Sequence, residues 1–485
     1  MQVLNSKISN PVERNVKVVQ FGEGNFLRAF VDYMIDMANE KGFFDGSIVV
    51  LKPIEFGNLD SFREQDCQYT VTLRGMQDGR EVVSNRVVTS VREVVSIYDQ
   101  YDYYMELAKM DSLRFVVSNT TEAGIVFDDK DFLEMTPPRT FPAKLTKFLY
   151  ERYLAFSGAV DKGLIILPVE LIDDNGIVLK ECVLKFAGLW QLEEGFLRWL
   201  EEACVFCSTL VDRIVTGYPF EEAPKLWQQL GYQDNLLVTA EPFGLWVIES
   251  DKDIREELPL DKAGMPVIFT DNQTPYKQRK VRILNGAHTA FVLASYLAGN
   301  DYVKESMQDE TIRRFMTSVI YEEVIPTLTL PKEELVEFAN SVIERFENPY
   351  IKHALLSISL NSTSKWRARC LPSLLEYIRV YEKLPKHLVF SIAALMSFYS
   401  SSDLKENCLL AKRGEEEYEI KDDRQVLEFL AEVSKLSSDQ FAKAYLSNTS
   451  IHGQDLAQIP YLCEEVTKYL DNIRKMGMRT ALEIL

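Results

Sequence analysis

An α/β amino-terminal part followed by a mostly α-helical carboxyl-terminal part is the fold class that three observations predict. From Val16 to about Val169, short β-rich runs alternate with helical stretches, the pattern of a parallel sheet covered by helices. The first of these runs leads through a glycine turn, Phe21-Gly-Glu-Gly-Asn-Phe-Leu-Arg28, into an amphipathic helix. From about Thr274 onward the apolar spacing is helical almost throughout.

The elements follow in order. Val16-Lys-Val-Val-Gln20 reads as a short buried strand, and Ala29-Phe-Val-Asp-Tyr-Met-Ile-Asp36 as the helix after the turn. Strand, glycine turn and helix are the context of a dinucleotide-binding turn. Gly22 would permit the tight bend, and Gly24 would let a pyrophosphate approach the backbone at the helix N-terminus. Leu27 stands where a third glycine is usual, so the motif alone fits a ligand-free turn as well; its flanking strand and helix favour a nucleotide. This half is therefore expected to be a Rossmann-like, doubly wound sheet. Further strands are read at Ser47–Leu51, Arg114–Ser118 and Gly163–Leu167, with a β-rich, antiparallel insertion between Tyr69 and Val95 that includes Tyr69–Leu73 and Arg86–Ser90. The turn-rich Asp271-Asn-Gln-Thr-Pro275 marks the boundary. Residues 1–272 are then the dinucleotide-binding domain, and residues 273–485 the mostly helical domain carrying the catalytic and substrate-binding residues.

Composition excludes several classes. A net charge of −19 argues against nucleic acid or an anionic membrane as partner. Met1 to Asn15 has no apolar signal core, and the longest apolar run, Leu388–Tyr399, is broken by Ser391 and Ser397 and too short to span a bilayer. Seven cysteines without regular spacing suit a reduced, cytoplasmic protein. Cys204 and Cys207 lack a second pair or a nearby histidine, so they read as buried or incidental thiols. The four histidines, His288, His353, His387 and His452, form no metal-ligand spacing with cysteines or carboxylates, so no metal is expected. The oligomeric state leaves no trace in the sequence.

Chemistry concentrates in Lys280-Val-Arg-Ile-Leu-Asn-Gly-Ala-His288. On a regular helix Lys280, Asn285 and His288 fall within an arc of roughly 140°. An amine, an amide and an imidazole on one face suit proton transfer to or from a hydroxyl or carbonyl; the plain alternative is a polar face with an incidental histidine. A lysine serves as base near neutrality only where burial or neighbouring cations, here Arg279 and Arg282, disfavour its ammonium. Two basic clusters stand out, Lys277/Arg279/Lys280/Arg282 and Lys365/Arg367/Arg369, with Lys352-His353 as a third. Each is either a solvated face or, if Lys365 and Lys352 or His353 converge on the Lys280 face, a seat for a substrate carboxylate.

Gly22-x-Gly24-x-Phe26-x-Arg28 together with Lys280-x4-Asn285-x2-His288 resembles the polyol-specific long-chain dehydrogenases, the group of mannitol dehydrogenases and uronate reductases. Ser118–Gly124, Leu210–Ile214, Glu241–Glu249 and Asn361–Lys365 extend the resemblance over nearly the whole chain. Phe21–Asp32, Ile166–Asp173, Cys207–Pro219 and Asn348–His353 are most similar to members that act on uronates. Pro168-Val-Glu-Leu171 and Ser357 depart from the mannitol-type pattern, which puts Leu171 where an oxyanion-holding asparagine is expected. The resemblance implies NADH-dependent reduction of a sugar acid, with Lys280 as acid/base beside Asn285 and His288. It assigns Gly22, Gly24, Asn25, Phe26, Arg28, Thr121 and Glu122 to the cofactor, and Glu170, Asp212, Lys352, His353 and Lys365 to the substrate. Asp212 is equally explained by an ion pair with Arg213. NAD is expected, although Lys52, at the end of the second strand, would tolerate a 2′-phosphate. Rival readings are a sister enzyme acting on another uronate or on a polyol, and a non-catalytic dinucleotide sensor. A short-chain dehydrogenase dyad, Tyr276-x3-Lys280, lies too far from the glycine turn.

Overall fold

Runs such as Ser47-Ile-Val-Val-Leu-Lys52 are apolar at nearly every position because the sheet they enter is covered on both faces. The computed structural model describes residues 1–121 and 123–485. Among these, six parallel strands form the main sheet: β1 (Val16–Phe21), β2 (Ser47–Lys52), β3 (Val91–Ser96), β4 (Phe115–Ser118), β5 (Ile165–Pro168) and β6 (Val205–Phe206). Their spatial order is β3-β2-β1-β4-β5-β6. Alternate residues feed two cores, Val18, Ile48 and Val117 on one face, Val19, Val49 and Val116 on the other. The order reverses between β1 and β4, and ligands of such sheets bind outside the carboxyl ends of the strands at that switch point.

The insertion is shorter than the sequence suggested. Tyr69–Gln77 and Arg80–Val88 are neighbouring strands joined by Asp78-Gly79, both at positive φ, in a four-stranded side sheet with Val215–Gly217 and Val238–Ala240. Val91–Ser96, assigned to the insertion by its β-rich pattern, belongs to the main parallel sheet instead. A second side sheet joins Ser208–Asp212, Leu245–Glu249 and Val267–Thr270.

After the glycine turn, residues 25–40 run as one helix with a π-helical segment at Arg28–Asp32. Buried Asp32 fastens it: its carboxylate accepts from Tyr69 Oη at 2.7 Å and Gln20 Nε2 at 3.4 Å, and its carbonyl accepts from Ser90 Oγ. Burial raises the Asp32 carboxyl from its ordinary 3.8 to about 7.

The chain divides into two units, Met1–Gly75 with Glu81–Gln273, and Met76–Arg80 with Thr274–Leu485. In the second unit, helix Gly286–Leu297 is apolar on nearly all sides, as a central helix must be, and helices Glu310–Ser318, Ser362–Arg369 and Lys386–Phe398 pack on it. Lys386–Phe398 contains the longest apolar run and is a core helix; among the described residues no helix is long and apolar enough to cross a membrane. One departure from the helical expectation is a small sheet of Asp403–Leu404, Leu409–Arg413 and Glu416–Ile420.

The Asp32 environment fixes a stability profile. The folded chain favours the neutral carboxyl, so stability from this group is complete below pH 3.8 and is lost as pH rises toward 7. The loss over this range is on the order of a few kcal/mol. Asp32→Asn should remove this slope, giving a variant at least as stable as the wild type at pH 7.5 in urea melts; parallel pH profiles for the two proteins would refute the assignment.

Candidate active site

The two glycines of the turn do different work. Gly22 has φ +121°, and a Cβ there would stand 2.9 Å from the Asn119 carbonyl oxygen. Its N–H donates to Leu51 O at 2.9 Å, and Asn119 N–H donates to Phe21 O at 3.0 Å, so the ends of β1, β2 and β4 meet here. Gly24, at the N-terminus of helix 25–40, would meet nothing within 4 Å of an added Cβ. The protein's own packing does not require glycine at that position, whereas a phosphate group lying on the helix N-terminus would. The turn therefore fits a dinucleotide pyrophosphate.

The neighbouring expected ligands are largely engaged. Arg28 is buried, with its guanidinium donating to Asn25 Oδ1 and Leu236 O, both at 2.5 Å, over the rings of Tyr69 and Phe62. A guanidinium committed inward braces the turn from below. Asn25 is thereby held through its Oδ1, and Phe26 stacks on Phe30 at 4.9 Å. Thr121 is exposed with φ +81°, and Glu122 lies outside the described residues. Glu170 is buried; its carboxylate accepts from Ser118 Oγ, Thr120 N and Thr120 Oγ1, each at 3.0 Å. Burial pushes its pKa up, and its bonds fasten the loop after β4 to the end of β5. That is a loop brace rather than the open substrate ligand that the resemblance implied. Buried Asp212 ends the strand Ser208–Asp212. Arg213 donates to the carbonyls of Ala29, Pro242 and Phe243, and burial lowers it to about 10.

Lys52 corrects the cofactor argument. The residue is 2% exposed, and its ammonium lies within hydrogen-bond distance, 2.9–3.1 Å, of four carbonyls of its own loop, those of Ile54, Glu55, Phe56 and Gly57, to which its three N–H groups donate. A lysine turned under its loop offers no charge to a 2′-phosphate.

In the helical unit, Lys280–Asn285 is a π-helical segment between the α-helices Thr274–Arg279 and Gly286–Leu297. The Gly286 N–H reaches the Val281 carbonyl, five residues back. Five-residue closure stacks Lys280 and Asn285 more directly above one another than a uniform α-helix does, and such segments recur at functional sites. The segment has room because Gly286 lacks a side chain: a Cβ would sit 3.3 Å from the Arg369 carbonyl. Lys280 and Asn285 are half-buried. The Asn285 carbonyl accepts from Thr289 Oγ1, while its side-chain amide makes no hydrogen bond among the described residues.

His288 stacks on Phe346 at 4.2 Å and meets the His353 ring edge-on at 5.4 Å. Its Nε2 is buried without a hydrogen-bond partner among the described residues. Burial lowers its pKa well below 6.5, helped by His353, Arg345, Arg369 and Lys365. The imidazole is therefore neutral at physiological pH, and positive charge gathers around it. Of the proposed carboxylate ligands the structure brings His353 and Lys365 to this place, and leaves Lys352 exposed. Phe346 and Arg345, which end helix Lys332–Phe346, were not anticipated, since nothing in their spacing relates them to His288.

The family described as Mannitol dehydrogenase Rossmann domain matches residues 16–262, and the Mannitol dehydrogenase C-terminal domain matches residues 272–474. An altronate oxidoreductase of Yersinia enterocolitica is 45% identical over 489 residues, with 99% of each chain covered. Two solved structures share the fold. A D-sorbitol dehydrogenase in substrate-free form has a TM-score of 0.80 at 22% identity, covering 99% of this chain and 100% of that one. The Pseudomonas fluorescens mannitol 2-dehydrogenase in a ternary complex with NAD and D-mannitol has a TM-score of 0.68 at 21% identity, covering 100% and 99%. Two domain families matched in order, and a relative this similar from end to end, lead to one assignment: the chain belongs to the mannitol dehydrogenase family.

Proposed function

We propose that this protein is an NAD-dependent oxidoreductase of the cytoplasm that reversibly reduces D-tagaturonate to D-altronate in hexuronate catabolism. The observation that carries the reading is end-to-end similarity, at 45% identity, to altronate oxidoreductase. The positive surroundings of His288 support an acidic substrate in a protein of net charge −19, which otherwise repels anions. The inward-turned Lys52 supports NAD over NADP. Residues 1–272 form the cofactor domain in this reading, and residues 273–485 the catalytic one.

A dinucleotide held at Gly22 and Gly24 would supply the hydride that the ketone carbon receives. The rest falls to the chain. Lys280, as ammonium, donates a proton to the carbonyl oxygen as that oxygen gains charge. The side-chain amide of Asn285, which makes no hydrogen bond among the described residues, donates a hydrogen bond to the same oxygen and takes up the duty of the asparagine replaced by Leu171. His288, neutral, turns its Nε2, which has no partner among the described residues, to a neighbouring hydroxyl and fixes the sugar chain. In the oxidative direction neutral Lys280 removes the hydroxyl proton. Gly22 and Gly24 seat the pyrophosphate, with Asn25, Phe26, Arg28 and Thr121 around the turn; Glu122 is assigned to the cofactor by the resemblance alone. Lys365 and His353 are the carboxylate ligands, with Lys352 exposed beside His353 in the chain and Asp212 a further substrate residue.

Purified protein offered NADH with D-tagaturonate, D-fructuronate or D-fructose should oxidise the cofactor fastest with tagaturonate. A preference for fructose would transfer the function to a polyol dehydrogenase, and silence with all three to a dinucleotide sensor. Lys280→Ala should retain NADH affinity, measured by fluorescence titration, while kcat falls by roughly 10²–10⁴. Near-normal turnover would remove Lys280 from the acid/base role.

A further inference from the structure

Lys365 and Arg369 present an imbalance of charge. The chain carries a net charge of −19, and several arginines elsewhere in its helical unit form ion pairs, among them Arg413 with Asp301 and Arg479 with Asp309. Among the described residues, Lys365 and Arg369 have none. Lys365 Nζ donates to the Ile358 carbonyl at 2.9 Å, and Arg369 Nη1 reaches the Thr289 hydroxyl at 3.4 Å. The two lie four residues apart on helix Ser362–Arg369, so they share a face, where like charges destabilise a helix. Both are half-buried. Burial lowers the pKa of each, and Arg369 lowers that of Lys365 further, against a smaller opposing pull from Asp422. The one carboxylate acting on Lys365, that of Asp422, already accepts from Thr363 and Tyr399, so two partly desolvated cations side by side call for a further anion.

Their position indicates which anion. Helix Ser362–Arg369 ends against the first turn of the catalytic helix: Cys370 Sγ contacts the Gly286 carbonyl at 3.5 Å, and Arg369 reaches Thr289, the residue after His288. Both cations lower the His288 pKa, so both lie within electrostatic reach of the imidazole. Arg367, between them in sequence, is exposed and covers Gly453, where a Cβ would meet its guanidinium at 2.6 Å. The helix thus presents two of its three cations to the catalytic residues.

We propose that Arg369, paired with Lys365, is the seat of the substrate carboxylate and sets the preference for 2-keto-hexuronates over neutral 2-ketohexoses. The guanidinium supplies a two-pronged donor matched to a carboxylate, and the ammonium a second charge one helical turn away. This inference rests on the sugar-acid reading of the site.

The test compares D-tagaturonate with D-tagatose, which has CH2OH in place of the carboxylate, in the full-length enzyme with NADH. Arg369→Gln should lower the ratio of kcat/KM for acid over neutral sugar by on the order of 100-fold, mainly through KM for the acid. Arg369→Lys, which keeps the charge without the fork, should recover part of the ratio, and NADH affinity should be unmoved in both. An unchanged ratio, or a loss shared equally by both sugars, overturns the proposal. If the wild type prefers D-fructuronate to D-tagaturonate, the functional assignment fails while the carboxylate seat is tested by the same variants with D-fructuronate and D-fructose. A wild type that prefers the neutral sugars refutes both.

Discussion

The cofactor half of this protein depends on the approach of two backbone segments at Gly22. β1 can end against Asn119 only if the residue there has no side chain and accepts a positive φ. From that contact follow the alignment of three strand ends, the direction in which helix 25–40 departs, and the opening above Gly24. Beneath the turn the side chains form a supporting layer. Arg28 is tied to Leu236, Arg213 to Ala29, and Asp32 to Tyr69 and Gln20. Several residues that look like ligands in the motif are therefore builders of the site, and Glu170 has the same role at the end of β5.

In the helical half the corresponding constraint is the π-helical segment at Lys280–Asn285, made possible by Gly286. The same device appears after the glycine turn, at Arg28–Asp32. One extra residue in a helical turn changes which side chains share a face without interrupting the helix. It also leaves an irregularity that must be packed, and the end of helix Ser362–Arg369 fills it. The cations carried by that helix end come within electrostatic reach of the His288 imidazole because the same packing brings them beside the π segment.

Much of the architecture was legible because it rests on local pattern. Apolar runs such as Ile48–Leu51 announce a sheet covered on both sides, and Gly22 with Gly24 announce the turn between strand and helix. What was missed depends on information that lies far away in sequence. Val91–Ser96 looks like its β-rich neighbours, and only its pairing with β2 places it in the main sheet. The strands Leu409–Arg413 and Glu416–Ile420 are so rich in charge that their alternation passes for an exposed helix. Among site residues, Lys280, Asn285 and His288 are close in sequence and were readable together. Arg345 and Phe346 arrive from another helix, and the inward turn of Arg28, Glu170 and Lys52 is set by burial, which residue type alone does not reveal.

The Lys52 ammonium surrounded by four carbonyls has an analogue in inorganic chemistry. Backbone oxygens converging on a monovalent cation are how proteins hold potassium, and the loop after β2 has the same form, with the cation supplied by its own side chain. A tethered ion cannot be washed out, exchanged or competed away. The loop that borders the cofactor side of the sheet therefore keeps its shape whatever the ionic composition around it, and needs no metal from the cell to do so.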